Sequence, residues 1–99
     1  MQVFYFDGVA LFRPGSVRTY NIIRRAGITL ETVEQVIDFA DDIMRGYVRN
    51  AGRLCAIELY RGAGLGVYNI FERLHGAVAV EDIITLCNQF DILFHDSMS

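Results

Sequence analysis

The strongest periodic pattern in the sequence runs from residue 29 to residue 51. Its apolar residues recur at the i, i+3, i+4 and i+7 spacing of one helix face: Val33, Val36, Ile37, Ala40, Ile43, Met44, Tyr47, Val48 and Ala51. Acidic residues lie near the start of the pattern and arginines near its end, as the helix dipole favours. We therefore predict an amphipathic helix of about 22 residues, with Gly46 as a weak point inside it.

The segment before this helix has the pattern of a β-hairpin followed by a short helix. Residues 3–6 and 9–12 are β-rich apolar runs separated by Asp7-Gly8, a pair typical of type I′ turns. Ser16 follows Pro14-Gly15 and is a good helix N-cap. A helix is predicted over Val17–Ala26, ended by Gly27 in the left-handed conformation.

The segment after the long helix alternates between predicted strands and helices. Residues 53–60 are predicted as a third strand, 67–74 as a helix, 77–80 as a fourth short strand and 83–94 as a helix. Residues 91–95 are equally compatible with a last strand. We expect a single α+β domain over residues 1–99, with two or three layers.

A glycine-rich turn lies between the predicted third strand and the next helix. Its sequence is RGAGLG, and a strand, a glycine turn and a helix N-terminus together can bind a phosphate group. The candidate ligand-binding residues are Arg61, Gly62, Gly64 and Gly66. The glycine spacing differs from the dinucleotide fingerprint, and the chain has no lysine for a P-loop. The alternative is a tight turn that lets the helix pack close to the strand.

The same stretch resembles one known family. Gly64-Leu65-Gly66 before a helix, a short apolar strand, another helix and Asp91-Ile92-Leu93-Phe94 together resemble the closing half of STAS domains, the anti-sigma-factor-antagonist fold. The resemblance covers roughly 35 residues and concerns the fold alone. The phosphoacceptor serine of that family would fall at Gly62 or Ala63, and neither residue can be phosphorylated. Two helices between the second and third strands also exceed the one that is usual in the family.

The apolar content indicates self-association. Of the residues, 53% are hydrophobic, and a chain of 99 residues buries only a modest fraction of its surface. We expect a homo-oligomer, a homodimer in the simplest case, and the alternative is a complex with a different protein. The predicted partner surface comprises arginines on the first helix and acidic residues on the long helix: Arg18, Arg24, Arg25, Glu34, Asp38 and Asp41. Asp41 is also expected to form an i, i+4 pair with Arg45.

Composition argues against several functional classes. The net charge of −3 disfavours nucleic-acid binding, and no apolar stretch has the roughly 18 residues of a membrane helix. The N-terminus does not resemble a signal peptide, so we expect a cytoplasmic protein with Cys55 and Cys87 reduced and buried. No residues have metal-ligand spacing, and we expect no metal and no cofactor.

Three single residues remain as candidates for chemistry. Glu58 interrupts an apolar run and must be paired, exposed or functional, with Arg53 or Arg61 as possible ion-pair partners. His75 and His95 are expected near helix ends, where histidine complements the dipole. We therefore expect a non-enzymatic regulatory or interaction module, although subunit interfaces can assemble catalytic sites. The alternative is a small-molecule sensor that binds a phosphate-bearing ligand, such as a nucleotide, at residues 61–67.

Overall fold

The chain is helical in the computed structural model, which describes residue 6 and residues 11–98. The described residues form five helices: α1 Val17–Ala26, α2 Val33–Met44, α3 Arg53–Gly62, α4 Val67–Arg73 and α5 Val80–Met98. Within these residues there is no β-sheet, and one isolated antiparallel bridge joins Phe6 to Phe12. The predicted α+β fold is therefore wrong, and with it the fold implied by the resemblance to STAS domains.

The predicted third strand, residues 53–60, is the central helix α3. Every residue from Cys55 to Tyr60 is buried, and α3 contacts each of the other four helices. A helix enclosed on all sides is apolar around its whole circumference and so loses the 3.6-residue period. A short, uniformly apolar run is also what a buried strand looks like, and periodicity does not separate the two.

The predicted fourth strand, residues 77–80, is the approach to α5. The amides of Asp82 and Ile83 both donate to the carbonyl of Ala79, which starts the helix. The buried stripe of α5 faces the core and includes Ile83, Cys87, Phe90 and Phe94. Residues 91–95, which the sequence left open between helix and strand, belong to this helix.

The predicted hairpin is only partly within the described residues. Residues 3–5 and 7–10 lie outside them. The rings of Phe6 and Phe12 meet edge to face, with centroids 5.9 Å apart. Phe12 is 6% exposed, and its amide donates to the carbonyl of Leu30 at 2.6 Å. This contact joins the segment before α1 to the segment after it.

Helix α2 is shorter than predicted because both of its ends are set by local signals. Thr32 is the N-cap: its hydroxyl accepts from the amide of Gln35 at 3.1 Å, and the Gln35 side chain accepts from the amide of Thr32 at 3.2 Å. At the other end, Gly46 has a φ of +81°, which breaks the helix after Met44. The apolar residues from Tyr47 to Ala51 keep the helical spacing but lie in a connecting loop.

Helix α1 has the predicted bounds. Ser16 is its N-cap and accepts from the amide of Thr19 at 3.2 Å, and Gly27 ends it at a φ of +68°. The predicted positions of Arg24 and Arg25 in the last turn are also confirmed.

The hydrophobic core surrounds α3. Ile57, Leu59 and Tyr60 are completely buried, and burial of side chains of this size stabilises a fold by about 1.5–3 kcal/mol each. Both cysteines are free and buried, as predicted. None of the helices in the described part of the chain is both long and apolar enough to cross a membrane.

Candidate functional site

The glycine-rich turn connects two helices rather than a strand and a helix. Gly62 is the last residue of α3, Gly64 has a φ of +97°, and Gly66 is the N-cap of α4. A Cβ atom at Gly62 would lie 2.5 Å from Cε2 of Phe12, whereas one at Gly66 would meet nothing within 4 Å. Gly62 is therefore needed for close packing against an aromatic ring.

The Arg61 side chain is held within the protein. Its Nε and Nη2 atoms donate to the two carboxylate oxygens of Asp91, both at 2.9 Å, and Nη1 donates to the carbonyl of Leu65 at 3.1 Å. The hydrogen bonds to Asp91 raise the pKa of the guanidinium above its usual value. Arg61 thus fastens the turn to α5, and its donors in this geometry are directed at protein acceptors.

The predicted partner surface is divided between α1 and α2. Arg18, Arg24 and Arg25 are exposed on α1, and Glu34 and Asp38 are exposed on α2. Asp41 differs from these five residues because it is half-buried and belongs to a polar cluster.

The polar cluster consists of Asp41, Tyr60 and Arg73, one each from α2, α3 and α4. The hydroxyl of Tyr60 donates to Oδ1 of Asp41 at 2.5 Å, and Nη1 of Arg73 donates to both carboxylate oxygens at 3.1 Å. The guanidinium of Arg73 also lies over the ring of Tyr60, 5.8 Å from its centroid. Burial, followed by the hydrogen bond to Asp41, raises the pKa of Tyr60, so its hydroxyl is a donor and not a base.

An open groove of 680 Å³ lies above this cluster. Its rim is polar and carries both signs of charge, with Arg45, Asn69, Glu72 and His75 among the lining residues. Arg45 contacts Asp42 at 3.3 Å on the surface, instead of the predicted Asp41. Asp41 is drawn inward by Tyr60 and Arg73, which are distant in sequence.

Glu58 is buried and paired, but with hydroxyl groups. Only 2% of the residue is exposed. Its Oε1 accepts from Ser16 Oγ at 2.6 Å and from Thr19 Oγ1 at 2.9 Å, and its Oε2 accepts from the Ser16 amide at 3.1 Å. The expected ion pair with Arg53 or Arg61 is therefore not the one formed. Glu58 instead anchors the N-terminus of α1 to the central helix.

A second groove, of 420 Å³, lies between the N-terminal parts of α3 and α5. We call it the α3–α5 groove. Its apolar lining comprises Leu54, Ile57, Val78 and Leu86, and the other lining residues are Arg53, Asp82 and Thr85. Leu54 is 51% exposed, while Ile57 is completely buried beside it. The groove thus has an apolar floor and one protruding apolar side chain.

The remaining candidates show no cluster with the geometry of a reactive or metal site. Among the described residues, no group of three or more His, Cys, Asp or Glu residues could hold a metal ion. Burial raises the pKa of the Cys87 thiol, which disfavours the reactive thiolate. His75 follows α4 at a φ of +52°, and His95 is exposed near the end of α5.

Sequence reasoning missed Tyr60, Arg73 and Leu54. Tyr60 was assigned to the end of a strand, and nothing in the local sequence shows that Asp41, 19 residues earlier, meets it. Nothing in the local sequence shows that Leu54 is 51% exposed. No protein-family model, curated protein or solved structure matches this chain.

Proposed function

We propose that this protein is a small non-enzymatic interaction module of a regulatory kind that acts as a homo-oligomer. One observation carries the proposal: large apolar side chains are more than a third exposed on four of the helices and in two loops. Within the described residues these are Val17, Tyr20, Ile28, Tyr47, Leu54, Tyr68, Ile84, Ile92 and Leu93.

Exposed apolar area of this kind favours association. Each square ångström removed from water is worth about 25 cal/mol, so covering a few such side chains offsets part of the entropy lost on binding. An exposed apolar side chain marks an interaction site more strongly where it adjoins other apolar residues, as Leu54 does in the α3–α5 groove. Tyrosines, which are three of the nine residues, are enriched in protein interfaces because their rings carry a polar end.

A cytoplasmic location is consistent with the proposal. Cys55 and Cys87 are free and buried, and a reducing compartment keeps such thiols in that state.

The test is the mass of the protein in solution as a function of concentration. Sedimentation equilibrium is expected to give a dimer or higher oligomer that dissociates on dilution. The melting temperature is expected to rise with concentration, because self-association stabilises only the folded state. A chain that remains monomeric at the highest attainable concentration contradicts the proposal.

The alternative, a sensor of a phosphate-bearing ligand at residues 61–67, has less support. The donors of Arg61 are directed at Asp91 and Leu65, and Gly62 is packed against Phe12. A phosphate would more readily lie in the polar groove nearby, where Arg45 and Arg73 line the rim. Asp41 and Glu72 line the same groove and repel it.

Gly66→Asp separates the two functions. Aspartate is a favourable N-cap for α4, so the fold is expected to persist, while the added charge would repel a phosphate from the turn. Substitution of Gly64 is less informative, because its φ of +97° strains any other residue. Binding of ATP by the wild-type chain in calorimetry, and its loss in Gly66→Asp, would favour the sensor.

A further inference from the structure

The α3–α5 groove contains both halves of an apolar contact. Leu54 projects from the first turn of α3 and is 51% exposed. Beside it, Ile57 forms the floor, and Val78 and Leu86 form half-buried walls. A protruding side chain and a hollow that could receive one are therefore adjacent in the same patch.

The charges of this groove are also complementary. Arg53 is at the start of α3 and Asp82 is in the first turn of α5, and both line the groove. Both residues are exposed, and within the described part of the chain neither side chain forms a hydrogen bond or an ion pair. One cation and one anion are thus available at an apolar surface.

We infer that a second copy of this chain occupies the α3–α5 groove, in a two-fold symmetric dimer. This inference rests on the proposed self-association and identifies the surface responsible. A two-fold axis brings the same patch of each subunit together, so the patch must complement itself. Leu54 of each subunit enters the groove of the other, and Arg53 of each subunit faces Asp82 of the other.

The composition of the patch favours a second copy over an unlike partner. In an interface between two different proteins, the shape and charge of one surface need only match those of the other. Each surface can then be wholly convex or carry charges of a single sign. This patch has one element of each kind: an apolar projection, an apolar hollow, a cation and an anion. In a two-fold symmetric dimer, the projection of each subunit meets the hollow of the other, and the cation of each subunit meets the anion of the other.

The first test is Leu54→Glu. Glutamate is tolerated near a helix N-terminus, so the fold is expected to persist, as helical circular dichroism would report. A charge placed in the partner's apolar groove is expected to raise the dimer dissociation constant about a hundredfold or more. Ile92→Glu is the matched control, because Ile92 is 62% exposed on the same domain and does not line the groove.

The second test is a charge exchange. R53D places two acidic residues opposite each other twice in the dimer, and D82R does the same with two basic residues. Each variant alone is expected to weaken self-association about tenfold. An equimolar mixture is expected to form a heterodimer with near wild-type affinity, because both ion pairs form again, one in the native orientation and one reversed. E81R, in the same turn of α5 but outside the groove, controls for the loss of a favourable charge at the helix start.

The outcomes of these tests separate this inference from the proposed function. A monomeric wild-type chain contradicts self-association itself. A wild-type dimer that Leu54→Glu and the charge variants leave unchanged overturns the assigned surface alone. Loss of dimer in Leu54→Glu, retention in Ile92→Glu and recovery in the R53D and D82R mixture support the α3–α5 groove as the interface.

Discussion

At the scale of single residues, Glu58 is a buried carboxylate that connects two helices. It lies on the central helix and accepts three hydrogen bonds from Ser16 and Thr19, so it fixes where α1 begins relative to α3. Hydrogen bonds to a carboxylate are stronger than those between neutral groups, and buried donors left without an acceptor are costly. The sequence indicated that this residue needed a partner but did not identify the partner.

Glu58→Gln is expected to lower the free energy of unfolding by about 2 kcal/mol. The amide oxygen can still accept from the two hydroxyls, but the amide nitrogen then points its hydrogens at the Ser16 N–H. Urea denaturation measures the change, and Glu72→Gln, on the exposed side of α4, is the control. If the free energy of unfolding falls by the same small amount in both variants, Glu58 has no anchoring role.

The ion pairs show why residue partners were harder to predict than residue types. Sequence spacing favoured Asp41 with Arg45, whereas Asp41 contacts Tyr60 and Arg73, and Arg61 contacts Asp91. Both observed pairs join different helices. Spacing within a helix shows only which residues of that helix can pair with one another. Tertiary packing can bring a partner from another helix closer than either of them.

At the scale of elements, local end signals were more reliable than periodicity. Ser16 and Gly27 define α1 because capping depends on residues within one turn of the helix end. The apolar stripe over residues 29–51 overestimated the length of α2, because Thr32 caps the helix after the start of the stripe and Gly46 ends it before the last residues of the stripe. The strand assigned to 53–60 failed for the opposite reason, since the buried run from Cys55 to Tyr60 contains one charged residue, Glu58, and so has no polar face to reveal a helical period.

The turn between α3 and α4 gives a test at this scale, through two glycines with opposite environments. Gly62→Ala is expected to destabilise the protein by about 1–3 kcal/mol, because the new methyl group would overlap the Phe12 ring. Gly66→Ala has open space and an ordinary φ of −77°, but it replaces a tolerated N-cap, so a loss of no more than about 1 kcal/mol is expected. Thermal unfolding of both variants provides the comparison. Similar losses of stability in the two would argue against tight packing at Gly62.

At the scale of the whole molecule, α3 connects all the other elements. Each of the other four helices packs against it, and its side chains from Cys55 to Tyr60 are buried. Such a helix cannot open without separating its neighbours. Helix α1, by contrast, contacts α3 only lightly, and its N-terminus is held to that helix by the hydrogen bonds of Glu58.

Native-state hydrogen exchange is therefore expected to divide the helices into two groups. The amides of α3 from Ile57 to Tyr60 should exchange only through global unfolding, at the free energy found by denaturation. The amides of α1 should exchange at a lower free energy, through opening of that helix alone. Exchange of α1 and α3 at the same free energy would show that the two unfold as one unit.

Glu58→Gln links this whole-molecule behaviour to the single residue. If the carboxylate holds α1 in place, the variant lowers the free energy of local α1 opening and the free energy of global unfolding by similar amounts. The reason is that the contacts of Glu58 with α1 are broken in both processes. If Glu58 mainly supports the packing of α3, the global free energy falls while local opening of α1 changes little. The two patterns differ in α1 alone, so amides in the middle of that helix, such as that of Ile22, decide between them.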